Sequence, residues 1–195
     1  IYSFSQIEDK VKALHETNTE AAAAVALSWL GLSRDELKTL RVSDYNSTMR
    51  MLHSADRVVY VREDLIADML KAICEEAPEY SMGFFITDVN SAYEVAEKQE
   101  LSPISVLKMR YFYEKHSAKL SGEPEDRVFL KEILRSVGES EADMEKQFAE
   151  YEKDAPEKIY TIATAQIHRL YVVHLPTHLF VIIHKTAFKA VFFMS

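Results

Sequence analysis

From Thr17 to Val61 the chain alternates apolar runs with capping residues in a regular order, and four elements follow from that order. Thr17 stands three before Glu20, the spacing of a capping box in which hydroxyl and carboxylate each satisfy an orphan backbone N–H. The run from Ala21 to Leu30 has no charged face, so it predicts a helix buried on every side and too short to cross a membrane. Gly31 ends it, with the freedom for positive φ that a C′ residue needs. Ser33 and Glu36 form a second capping box, which starts a short helix with Leu37 and Leu40 inward. Two strands are predicted next, Ser47–His53 and Arg57–Val61, with Ser54-Ala55-Asp56 turning between them.

The remaining pattern is mostly helical. Ser5 with Glu8 predicts a capped helix to about Glu16, carrying Ile7, Val11 and Leu14 on one stripe. Asp64–Ala77 has Leu65, Ile66, Met69, Leu70 and Ile73 on one face, and Pro78 stops it. Phe84-Phe85-Ile86 is short enough for a strand, and Thr87 or Asp88 caps a helix over Val89–Glu97. Ser102-Pro103 opens a helix to about Leu120. Pro124 opens another, with Val128, Ile133, Leu134 and Val137 as its apolar positions, and Ser140 with Asp143 starts an acidic one, Glu141 to Lys153. After Glu157 the composition changes: Lys158–Ser195 has no acidic residue, is rich in Val, Ile, Phe and His, and reads as strands or a helix packed on the domain.

The stretch Gly31-Leu32-Ser33-Arg34-Asp35-Glu36-Leu37, then Leu40 and Asp44, resembles the first signature of tyrosine recombinases (phage integrases). That signature is glycine, an apolar residue, a catalytic arginine, two variable residues, glutamate and leucine, with an aspartate soon after and a β-hairpin beyond. The resemblance extends over roughly Ser5 to Tyr151. It implies a mainly α (α+β) chain, a helical recombinase-like catalytic domain with a small antiparallel β-hairpin. The separate core-binding domain is expected to be absent. Residues 1–157 would form the integrase-like domain and 158–195 an appended apolar, histidine-containing segment.

The catalytic positions depart from the family. Ser33 stands where the arginine should, and Arg34, one residue on, is rotated roughly 100° around the helix. No lysine lies in the hairpin turn; Arg50 is the nearest upstream cation. Ile104 and Leu107 occupy the histidine and arginine positions of the second signature, Arg135 and Ser136 follow at the third, and Tyr151 lies several residues beyond the place of the nucleophile. Losing one charge-stabilising donor costs about 10²–10³ in rate, and here nearly all are replaced.

The residues that could still carry chemistry are few. Arg34 and Tyr151 are the catalytic candidates. Arg34, Arg50, Arg57, Lys108, Arg110, Lys115 and Lys119 are the candidate phosphate contacts, with Lys108, Lys115 and Lys119 sharing one helix face. The bland reading of that face is a solvated surface, and Phe112 beside it is most simply core. His168, His174, His178 and His184 include a zinc-like four-residue spacing, but Pro176 interrupts it and no cysteine or carboxylate is near. No metal or cofactor site is expected.

Composition narrows the options further. With 195 residues, only four glycines and five prolines, the chain suits one mainly helical core. A net charge of −8 gives no general attraction to nucleic acid, so DNA contact would need a local basic patch. The single cysteine, Cys74, falls in an apolar helix pattern and suits a reducing, cytoplasmic compartment. The chain opens on Ile1, as a fragment or trimmed chain does, and shows no signal peptide.

Three functions follow as expectations. The first is a degenerate integrase-like protein, of mobile-element type, that binds DNA or a recombinase-type partner, or self-associates, without cutting. The second is an active, divergent integrase in which Arg34, Lys108 or Arg110 and Tyr151 have moved into role. The third is a helical protein-interaction module with no nucleic-acid role, which the acidic balance favours.

Overall fold

The structure, a computed structural model, describes residues 4–55, 57–76, 83–121 and 124–154. The segment 158–195, with its four histidines, lies outside the described residues. The first two helices, α1 (Phe4–Thr17) and α2 (Thr19–Trp29), are parted by Asn18 alone. Ile7, Val11 and Leu14 of α1 are buried as the stripe predicts, and every residue from Ala21 to Leu30 is buried. So α2 is the central rod, and α1, α5 (Val89–Lys98) and α6 (Pro103–Ser121) pack around it.

Two predicted caps move. Asn18, not Thr17, caps α2: its Oδ1 accepts the Ala21 N–H at 2.8 Å, while the Thr17 hydroxyl donates to the Leu14 carbonyl at the end of α1. Glu20 is thereby free to reach across to α5's entry, where it accepts the Thr87 hydroxyl at 2.6 Å. Helix α1 begins at Phe4, so Ser5 lies within it and does not start it.

After α3 (Arg34–Thr39) and one 3₁₀ turn (Val42–Asp44) come three short strands: β1 (Tyr45–Asn46), β2 (Met51–Ser54) and β3 (Arg57–Tyr60). They form an antiparallel sheet in the order β1-β2-β3, with Met51 opposite Tyr60 and Ser54 opposite Arg57. The predicted first strand is therefore shorter than Ser47–His53. Asn46 Oδ1 accepts the Met49 N–H at 2.9 Å, which folds 47–50 into a turn and adds Tyr45–Asn46 as a third strand. Phe84-Phe85-Ile86 is not a strand; it contributes one bridge, Arg41 to Phe84.

Helix α4 (Asp64–Glu76) buries Ile66, Met69 and Leu70, and its Cys74 packs partly buried against the same core. Asp88 caps α5. Helix α7 (Arg127–Val137) starts three residues after Pro124 because the Asp126 side chain accepts the Phe129 N–H at 3.0 Å. With α8 (Glu141–Asp154) and α6 it closes a second, smaller core of Leu107, Tyr111, Phe112, Leu130, Ile133 and Met144. Val128 is a correction to the apolar pattern: it is 75% exposed, off the buried stripe of Leu130 and Ile133. Among the described residues, no helix is long and apolar enough to cross a membrane.

Candidate functional site

The turn from α2 into α3 is where the resemblance is densest, and it is built by Gly31, Ser33 and Glu36. Gly31 has φ +87°, and a Cβ there would lie 2.6 Å from the Phe129 ring of α7. Replacing it with alanine therefore adds left-handed strain of roughly 1–2 kcal/mol to a clash. A urea titration of Gly31→Ala should show at least that loss, with an unchanged midpoint contradicting the packing described.

Ser33 and Glu36 satisfy each other as the capping box predicts. The Ser33 N–H donates to Glu36 Oε2 at 2.7 Å, and the Glu36 N–H to Ser33 Oγ at 3.2 Å. Glu36 does more than cap. Its Oε1 accepts from Ser54 Oγ and from Arg57 Nε, both at 2.9 Å, and its Oε2 accepts from Arg57 Nη2 at 3.0 Å. The same Nη2 donates to the Gly31 carbonyl at 2.9 Å. The bidentate pair thus bolts the hairpin to the start of α3. Burial alone would raise the Glu36 carboxyl, but hydrogen bonds and charge from Arg57, with Ser33 and Ser54, hold it below the usual carboxylate range.

A second buried ion cluster gathers on Trp29. Arg110, 7% exposed, donates through Nη1 to Glu63 at 2.9 Å and pairs through Nη2 with Glu114 at 2.6 Å. Trp29 Nε1 donates to the same Glu63 oxygen at 3.0 Å. The guanidinium lies 5.0 Å from the Trp29 ring and 5.3 Å from that of Phe129. Burial would raise the Glu63 carboxyl; the Arg110 charge and the Trp29 and Arg110 hydrogen bonds outweigh it and lower it.

Between β3 and the first turns of α7 lies a cleft of about 280 Å³. Its one wall is the whole of Arg57–Tyr60, its other Asp126, Val128, Phe129 and Glu132, with Arg110 and Glu114 of α6 behind.

The other sequence candidates do not join these clusters. Arg34 donates to Asn90 at 2.7 Å and lies 4.9 Å from the Tyr93 ring, turned toward α5. Arg50 pairs with Asp64 at 2.7 Å on the surface. Lys108 pairs with Glu139 and also meets Gln147, and Lys115 reaches Glu125, Glu141 and Glu145 within 3.5 Å. Burial would lower the Lys115 pKa, but its bonds to Glu141 and Glu145 outweigh that and raise it. These lysines clamp α8 to α6. At other positions that the sequence singles out, Leu107 is fully buried, Ile104 is half-buried, and the Ser136 hydroxyl donates to the Glu132 carbonyl. The side chains of Lys119 and Tyr151 lie outside the described residues.

Sequence reading missed Glu63, whose partner is 47 positions away and leaves no local signal. It also missed the cleft, which forms only when β3 and α7 come together. Among the described residues no group of three or more His, Cys, Asp or Glu side chains is placed to hold a metal ion. No family model, curated protein or solved structure matches the chain.

Proposed function

We propose that this chain is a recombinase-like scaffold that does not cut DNA and acts by binding a protein partner, a recombinase-type protein or another copy of itself. The observation that carries the reading is the use of its cations. Arg57, Arg110, Lys108 and Lys115 are each paired with carboxylates of the same chain, and Ser33 spends its side chain capping α3. A phosphate approaching them would have to displace those carboxylates, against a net charge of −8. The exposed large apolar residues support a protein partner instead. Met49, Val58 and Tyr60 are on or beside the hairpin, and Val128 is across the cleft.

Two assays test this. In a gel-shift titration at low and high salt, no duplex binding is expected; a DNA complex whose affinity falls with salt by about 0.9 per phosphate contact overturns the reading. With a suicide DNA substrate, no covalent adduct is expected. An adduct abolished by Tyr151→Phe would establish the divergent integrase in its place.

A further inference from the structure

We infer that the free edge of β3 is a docking site for an extended segment of a partner protein, apolar at alternate positions and basic between them. This rests on the partner-binding reading and gives that partner a chemistry. The Val61 N–H donates to the Arg50 carbonyl at 2.9 Å, one step beyond the Met51–Tyr60 pair. Hydrogen-bonded and non-bonded pairs alternate along an antiparallel ladder. Val59 and Arg57 therefore bond back to β2, and the N–H and C=O groups of Val58 and Tyr60 face away from it. β3 is the last strand of its sheet, and no pairing beyond it occurs among the described residues.

That edge opens into the cleft, since four consecutive residues of β3 line it. The side chains of Val58 and Tyr60 are 42% and 61% exposed, and Val128 stands opposite at 75%. An added strand would find two outward donors, two outward acceptors, and apolar surface for every second side chain.

Charge selects the rest. Arg57 and Arg110 of the lining are held by Glu36, Glu63 and Glu114, and Glu132 by Arg135, which leaves Arg62 against Asp126 there, so the pull on a charged partner comes from the chain around the cleft. Residues 158–195 carry four cations and no carboxylate, so the rest of the chain, which builds the cleft, stands at −12 where the whole is −8. A basic segment is drawn to such a surface and an acidic one repelled.

The test titrates the full chain with fluorescein-labelled peptides of alternating valine and lysine, or valine and glutamate, followed by anisotropy. The lysine peptide is expected to bind and the glutamate peptide not. Val58→Pro removes one outward N–H and leaves the ladder to β2 intact, so it should weaken binding about tenfold. Val128→Lys, on an exposed position of the far wall, should also weaken it and serves should the proline variant fail to fold. Amide exchange supplies the second readout: Val58 and Tyr60 are expected to exchange freely in the isolated protein and to be protected by the peptide. No binding, equal binding of both peptides, or protection already present without peptide overturns the inference, the last because the chain's own residues or a second copy would hold the edge. None of these outcomes involves DNA, so the inference can fail while the non-cleaving reading stands.

Discussion

Arg110→Ala is expected to lower the unfolding free energy by roughly 3–5 kcal/mol, the cost of breaking a buried ion cluster from one side. Glu63 and Glu114 would be left facing each other across the space of a removed guanidinium, in a region where Arg110 is only 7% exposed. The lost packing against Trp29, Tyr113 and Phe129 adds to the same direction. Urea titration checks the loss. The double variant Arg110→Ala, Glu63→Gln should recover part of it, because one of the two stranded charges is then gone. A loss under 1 kcal/mol in the single variant, on the scale of an exposed ion pair, would mean that Arg110 is free to serve another partner.

Glu36→Ala should be comparably severe, at roughly 3 kcal/mol or more. It removes the acceptor of the Ser33 N–H in the capping box, the acceptor of the Ser54 hydroxyl and both carboxylate oxygens that hold Arg57. The pH dependence has a fixed sign. The folded pKa of Glu36 lies below its ordinary value of 4.5. Its contribution is therefore fully present above that value and is lost as pH falls through the lower, folded one. Glu63 behaves alike. Stability of the native chain should fall steeply in that acid window, and Glu36→Gln should flatten the fall. A variant whose acid profile matches that of the native chain contradicts the assignment.

Much of this fold was legible because its grammar is local. The Ser33–Glu36 box, the φ of Gly31 and the burial of Ala21–Leu30 are each dictated within a few residues, and each stands as read. Where two cappers compete side by side, spacing alone misleads: Asn18 lies one residue nearer the helix than Thr17 and takes the N–H. The Asn46 turn shortened a strand for the same kind of reason. The site was harder. Sequence marked Arg57 and Arg110 as phosphate contacts because Glu36 and Glu63, which hold them, are 21 and 47 positions distant; Glu114, four residues after Arg110 on the same helix, was the one local sign. Val128 looked like core because it shares an apolar pattern with Ile133, yet the helix turns it outward.

Arg57 and Arg110 are committed inside the molecule, each to carboxylates of its own chain. Arginine side-chain NMR on the full chain reads this directly, through the Nε–H signal of Arg57 and the Nη–H signals of Arg110 with and without an excess of duplex DNA. Slow solvent exchange and unmoved signals are the predicted result. Signals that exchange fast in the free protein, or shift on adding DNA, would contradict it.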